Sequence, residues 1–314
     1  MGNFNSIIFP RPNPPSYNKN HTNLIYIPRK ADYQPNNPQN AQNNTTSSFS
    51  FKSTPVKAPP VPCMFLPSKN PSDKIIIYFH GNAEDVGFSE YFFQPLTQIW
   101  SSHVIVVEYP TYGTYTNHPL SEENMKQDAE DVYDFLRLKM GLNPQQILIF
   151  GRSMGSGPAC HLAANRAVGG LILFSAYKSV KEAAKSLVGG FFGGFVRDRF
   201  RNIDVITKIA CPTIFIHGEK DKVIPCQHTK ELFERSTQLP WRYLLTPSQM
   251  THNEFRLEED LIDPVLMFME KNGLSGRRLG PFVQIDKFFM LRGQDNIHTI
   301  GGYGAPVAGQ GFNG

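Results

Sequence analysis

The strongest constraint on the fold comes from six short apolar runs that are separated by longer polar segments. Each run has four or five residues, and most are rich in Ile or Val without the polar alternation of a half-exposed strand. Strands of this kind are covered by helices on both faces, as in a parallel sheet. The runs are 75–79, 104–107, 147–150, 171–174, 213–216 and 242–245. The sequence therefore predicts an α/β fold with a doubly wound, mostly parallel sheet.

Helical periodicity appears between these runs. The predicted helices cover 122–138, 155–167, 227–236 and 257–272. Ser121 directly before the first of them is a favourable N-cap, and Gly273 directly after the last is a favourable C-terminal stop. The alternation of strand and helix supports helices on both faces of the sheet.

The two ends of the chain differ in composition from its middle. Residues 1–62 contain eleven Pro and eleven Asn, and residues 275–314 end in a Gly-rich stretch. Such segments bury too little apolar surface to offset the entropy of ordering. We expect a partly flexible N-terminal arm over 1–62, one α/β domain over 63–274 and a C-terminal extension over 275–314.

Charge and cysteine content narrow the possible functions. The net charge is +4, and the arm holds six Lys or Arg against one Asp, which suits an acidic surface such as a membrane.

No apolar run reaches the ~18 residues of a membrane-spanning helix, and no motif indicates nucleic-acid binding. The four cysteines stand singly, which disfavours a zinc site and a disulfide framework and favours a reducing, intracellular compartment.

A G-x-S-x-G motif follows the run at 147–150 and precedes a predicted helix. It reads Gly151-Arg152-Ser153-Met154-Gly155. A nucleophilic serine needs a tight strand-to-helix turn, and the flanking glycines leave room for the neighbouring strand and helix. Ser153 is therefore the predicted nucleophile.

A serine hydroxyl needs a base and a carboxylate that orients this base, and in this fold class they follow in the order acid, then histidine. Asp221 lies in the turn after the run at 213–216, and His252 follows the run at 242–245. Both fall at the carboxyl edge of the predicted sheet, as Ser153 does. Glu219 is the alternative acid, whereas His217 is expected to be a packed residue rather than a base.

Acyl transfer also needs donors for the developing oxyanion. The backbone N–H of Met154 is one candidate. The second is expected from the loop His80-Gly81-Asn82-Ala83, supplied by Asn82 or Ala83. No cofactor and no metal ion are needed for this chemistry.

The first residues, Met1-Gly2-Asn3-Phe4-Asn5-Ser6, fit the N-myristoylation pattern. A single myristoyl chain binds a membrane only marginally, so a second signal is expected, and the basic arm could provide it. Gly2 is therefore a predicted lipidation site.

Six motifs in the same order resemble the α/β-hydrolase domain-containing protein 17 family of Bem46-like serine hydrolases. They are His80-Gly81-Asn82-Ala83, Glu108 to Gly113, Pro119 to Glu122, Gly151 to Gly155, His217-Gly218-x-x-Asp221 and His252-Asn253. The resemblance implies the α/β-hydrolase fold and a hydrolase that removes palmitate from S-acylated proteins at the cytoplasmic membrane face. It also implies Ser153 as nucleophile, His252 as base and Asp221 as the residue that orients it.

The chain departs from the family pattern at several points. The family's N-terminal cysteine cluster is missing, and Gly2 is a possible replacement. Thr111 and Tyr115 stand where the family usually has Gly and Ser, and Gln249-Met250-Thr251 replaces the usual Gly-Ala-Gly. Two alternative functions remain open. One is a carboxylesterase with the same catalytic residues, and the other is a hydrolase-fold docking subunit whose terminal extensions contact a large assembly.

Overall fold

The structure of the protein is a computed structural model that describes residues 10–33, 58–188 and 196–276. Gly2, most of the Asn-rich part of the arm and nearly all of the predicted C-terminal extension lie outside these described residues. Among the described residues, no helix combines the length and the apolar composition that are needed to cross a membrane.

One sheet of eight strands forms the centre of the molecule. The strands are β1 Leu24–Ile27, β2 Val61–Leu66, β3 Ile75–Phe79, β4 His103–Val107, β5 Ile147–Arg152, β6 Gly170–Phe174, β7 Thr213–Ile216 and β8 Arg242–Leu245. Their order in the sheet is β1-β2-β4-β3-β5-β6-β7-β8, and of these described strands only β2 is antiparallel to its neighbours. The predicted mostly parallel sheet is confirmed.

The apolar runs are unbroken because the sheet is buried on both faces. Along β3, Ile75, Ile77 and Phe79 pack into one apolar core, and Ile76 and Tyr78 pack into a second core on the opposite face. Successive side chains of a strand point to opposite faces, so both sets must be apolar here.

The helices follow in chain order. They are α1 Lys30–Tyr33, α2 Val86–Ile99, α3 Glu122–Leu138, α4 Ser156–Asn165, α5 Val180–Val188, α6 Asn202–Val205, α7 Gln227–Arg235 and α8 Asp263–Lys271, and a π-helical turn at Glu258–Ile262 precedes the last. The helices predicted from periodicity are confirmed as α3, α4, α7 and α8. Ser121 caps α3 by accepting the Asn124 N–H, and Gly273 ends the chain's last described helix with φ +67°.

Two strands, the long helix α2 and the shorter helices α1, α5 and α6 were not predicted. β1 and the first residues of β2 lie within the segment predicted as an arm, so the sheet begins before residue 63. Their apolar runs are short, and only pairing with each other and with β4 makes them strands. The helix α2 contains Pro95 and Gly87, which weaken its helical signal.

The arm is fastened to α3 by a buried cation. The Arg29 guanidinium contacts Asp128, lies 3.0 Å from Asp131, and donates to the Tyr115 hydroxyl over 2.5 Å. Burial raises the pKa of Asp128 to about 6 although Arg29 opposes this shift. Tyr115, where the related family usually has Ser, therefore serves as a contact for the arm.

Candidate active site

Ser153 occupies a sharp turn between β5 and α4. Its φ is +51°, a left-handed conformation that a non-glycine residue adopts only under strain. A Cβ on Gly151 would come within 2.6 Å of the Ala159 side chain, and one on Gly155 would overlap the Phe79 carbonyl. The two glycines of the motif therefore allow the turn that presents the Ser153 side chain.

Ser153, His252 and Asp221 are brought into direct contact. His252 Nε2 lies 3.0 Å from Ser153 Oγ, and His252 Nδ1 lies 2.7 Å from Asp221 Oδ2. Because a carboxylate can only accept, Nδ1 carries the hydrogen in this tautomer and Nε2 is left to accept the hydroxyl proton. The arrangement can therefore move a proton from the serine to the imidazole.

Four donors surround the Asp221 carboxylate. Oδ1 accepts the backbone N–H groups of Val223 and Ile224 at 2.9 and 2.8 Å, and Oδ2 accepts from His217 and His252. Burial alone would raise the pKa of Asp221, but the hydrogen bonds from His217 and His252 hold it well below its usual value. The alternative acid, Glu219, instead lies 3.8 Å from the Lys230 ammonium.

His217 has a role in the site that the sequence did not reveal. It is fully buried, and its Nε2 lies 3.1 Å from Asp221 Oδ2 and 2.8 Å from the Ile224 carbonyl. Its Nδ1 contacts the Thr229 hydroxyl at 2.6 Å. His217 is thus packed, as expected, and it also orients the carboxylate that contacts His252.

The loop that carries His252 is held by a closed turn and by Arg152. Thr251 and Glu254 exchange hydrogen bonds on either side of His252. Arg152 donates to the His252 carbonyl over 3.3 Å and to Asn253 Oδ1 over 2.9 Å, and it also pairs with Glu84. Arg152 occupies one of the two variable positions of the G-x-S-x-G motif, so the sequence carried no signal for this role.

The loop after β3 lies beside the serine turn and contains the second candidate oxyanion donor. The Ala83 N–H donates to the Pro10 carbonyl at 3.1 Å, whereas Tyr112 donates to Asn82 Oδ1 at 2.8 Å. The Ala83 N–H is therefore engaged by the arm. Asn82 and the backbone N–H of Met154 remain the predicted oxyanion donors.

A buried ion pair holds the start of this loop. His80 Nδ1 faces the Gly81 carbonyl at 2.9 Å, and Nε2 faces Glu108 Oε1 at 3.2 Å. Burial lowers the pKa of His80, but the hydrogen bond and charge of Glu108 outweigh it and raise the pKa overall. Both ring nitrogens face acceptors, so this environment favours the protonated form of His80.

The described residues give less support to a cysteine nucleophile or a metal centre. Burial raises the pKa of all four cysteine thiols, which disfavours a thiolate nucleophile. Within the described ranges, no group of three His, Cys, Asp or Glu side chains is arranged to hold a metal ion.

The strand order, the serine turn after β5 and the chain order of serine, acid and histidine define the class of α/β hydrolases. Solved structures support this fold. The Pyrococcus furiosus esterase Pf2001 matches with a TM-score of 0.55 and 17% identity over 68% of this chain and 87% of that chain. A Pyrococcus horikoshii acylaminoacyl peptidase matches with a TM-score of 0.54 and 11% identity over 72% of this chain and 42% of that chain.

Curated relatives carry the name of the family that the six motifs resemble. Alpha/beta hydrolase domain-containing protein 17B of Xenopus tropicalis is 32% identical over 175 residues, and that of Homo sapiens is 31% identical over 185 residues. These matches cover 56% and 59% of this chain, and 59% and 63% of the relatives, so the chain spans about three fifths of their length. No family model matches the chain. The resemblance to the protein 17 family is thereby confirmed.

Proposed function

We propose that the protein is a serine hydrolase that acts through an acyl-enzyme, with Ser153 as nucleophile, His252 as general base and Asp221 as the residue that orients His252. The observation that carries this proposal is the continuous contact from Ser153 Oγ to His252 Nε2 and from His252 Nδ1 to Asp221. The names of the curated relatives and of the structural neighbours support a hydrolase.

The proposed reaction has two half-reactions. Ser153 Oγ attacks the acyl carbonyl while His252 Nε2 takes its proton, and the Met154 and Asn82 N–H groups stabilise the oxyanion. His252 then gives this proton to the leaving sulfur or oxygen as the bond to the acyl carbon breaks. In the second half-reaction, His252 takes a proton from water, the hydroxide attacks the acyl-serine, and the proton returns to Ser153.

Within this class we infer that long-chain acyl thioesters of S-acylated proteins are the substrates, and carboxyl esters are the second choice. The support for the thioester is the resemblance to the protein 17 family. A cleft of about 770 Å³ beside Asp221 and His252 is bordered by Lys220, Lys222 and Glu254, which suits a polar leaving group such as a polypeptide. Myristate on Gly2 together with the basic arm would keep the enzyme at the cytoplasmic membrane face.

The test is labelling by a fluorophosphonate probe, followed by turnover of a palmitoyl-thioester peptide and of a short-chain nitrophenyl ester. The wild type should be labelled on Ser153 and hydrolyse the thioester, and Ser153→Ala should lose both properties. Ser186→Ala, which changes an exposed serine on α5, is the matched control and should retain both. Mass analysis of the N-terminal peptide tests acylation of Gly2.

Two outcomes would contradict the proposed function. Unchanged turnover by Ser153→Ala would refute the assignment of the nucleophile. Absence of both labelling and turnover in the wild type would favour the alternative of a hydrolase-fold docking subunit.

A further inference from the structure

The N-terminal arm contacts the loop that holds the candidate oxyanion donor. The Pro10 carbonyl accepts the Ala83 N–H at 3.1 Å. Six residues later, the Ser16 N–H donates to Asp85 Oδ2 at 2.8 Å, and the Ser16 hydroxyl contacts the other oxygen of the same carboxylate. Residues 10 and 16 of the arm therefore bind residues 83 and 85 of the loop.

Tyr17 extends these contacts into the protein interior. Its side chain is 6% exposed, and its hydroxyl donates to Glu108 Oε2 over 2.9 Å while accepting the Thr114 N–H over 3.1 Å. Burial, together with the negative charge of Glu108, raises the pKa of Tyr17 well above its usual value. The hydroxyl therefore keeps its proton and remains a donor at neutral pH.

Two glycines on different elements make room for this side chain. A Cβ on Gly113, whose φ is +50°, would overlap the Tyr17 hydroxyl, and a Cβ on Gly87 would overlap Ser16 and come within 3.1 Å of Tyr17 Cβ. Gly113 lies after β4 and Gly87 lies in the first turn of α2. The slot for Tyr17 is thus part of the hydrolase domain itself.

Glu108 connects Tyr17 with the loop. Its carboxylate is fully buried and accepts from four donors, which are Tyr17, the Val86 N–H at 3.3 Å, the Tyr109 N–H at 3.0 Å and His80 Nε2 at 3.2 Å. A buried charge is tolerated only where hydrogen bonds satisfy it. The Tyr17 hydroxyl therefore helps to fix the carboxylate that holds His80, the residue that begins the loop.

We propose that Tyr17 is a positioning residue for the proposed hydrolysis, because it fixes through Glu108 and His80 the loop that supplies the Asn82 oxyanion donor. The inference rests on the proposed function. The arm is then required for turnover and does more than connect the domain to a membrane.

The test compares Tyr17→Phe with the wild type in the full chain. We expect kcat for a nitrophenyl ester to fall about tenfold, with KM within about twofold of the wild type. Removing an oxyanion donor lowers kcat by about 10²–10³-fold, and a donor that is only displaced should lower it less. Hydrogen exchange of the amides at 81–86 should accelerate about tenfold. Tyr133→Phe is the matched control, because it also removes a buried hydroxyl, one that donates to the Ala167 carbonyl away from the loop.

A second variant separates positioning from lost stability. Gly87→Ala introduces a better helix former into α2, while its new Cβ displaces Ser16 and presses on Tyr17. It should therefore show the same fall in kcat and the same faster exchange. Wild-type kcat and exchange in Tyr17→Phe would overturn the proposal, as would equal losses in Tyr133→Phe. If Ser153→Ala stays active, the proposed function fails, and the exchange data alone then decide whether Tyr17 positions the loop.

Discussion

Replacing Asp221 by Asn should remove most of the turnover, because every group that touches this carboxylate is a hydrogen-bond donor. Two backbone N–H groups, from Val223 and Ile224, contact Oδ1, and two histidines contact Oδ2. The side-chain amide of the Asp221→Asn variant would keep its oxygen at the two backbone donors and present its NH₂ group to His252. The imidazole would then accept at Nδ1 and carry its hydrogen at Nε2, which faces Ser153, so it could no longer take the serine proton.

Asp221→Asn should lower both kcat and the free energy of unfolding. A base held in the wrong tautomer lowers kcat by about 10⁴-fold in a triad of this geometry. This factor corresponds to about 5.4 kcal/mol of transition-state stabilisation, at about 1.36 kcal/mol per factor of ten. Loss of the His217 hydrogen bond to the charged Oδ2 should lower the free energy of unfolding by about 1–3 kcal/mol, although His217 keeps the Ile224 carbonyl as an acceptor.

The assay is steady-state turnover of a nitrophenyl ester together with urea denaturation of each variant. Glu219→Gln is the matched control, since it alters the neighbouring acid that pairs with Lys230, and its kcat should stay within about twofold of the wild type. The reasoning is refuted if Asp221→Asn keeps more than about a tenth of the wild-type kcat, or if Glu219→Gln loses as much.

Three further predictions follow from single contacts. Arg152→Gln should lower kcat about tenfold with little change in KM, because the His252 loop loses the hydrogen bonds that Arg152 donates to it. Arg166→Gln, which is remote from that loop, should leave kcat unchanged. Thr111 has φ +73°, a left-handed conformation that strains a β-branched residue but not glycine. Thr111→Gly should therefore raise the free energy of unfolding by roughly 0.5–1 kcal/mol in urea denaturation, and a lower value than that of the wild type would contradict this reasoning. The pKa of His80 is raised in the folded protein, so its pairing with Glu108 stabilises the fold below pH ~6.5, and this stabilisation disappears as the pH rises through the folded pKa. In His80→Gln, the free energy of unfolding should therefore fall less steeply above pH ~6.5 than in the wild type.

Much of the central sheet could be predicted from the sequence because each parallel strand is a local signal. The run at 75–79 is apolar throughout, the run at 213–216 is apolar from Ile214 onward, and the bounds of both are those observed. The serine turn is also locally encoded. Gly151 and Gly155 are needed because a Cβ at either position would overlap the neighbouring helix or strand. Strand periodicity and backbone sterics act over a few residues, so a sequence displays them directly.

The contacts that complete the site were decided only by the tertiary structure. Arg152 reaches Asn253 across 101 residues, Tyr17 reaches Glu108 across 91, and β1 becomes a strand only by pairing with β2. Even His217, four residues from Asp221, acquires its role only when the turn folds back on the strand. A polar side chain shows its residue type in a sequence, but the partner that satisfies it is chosen by the packing of the whole chain.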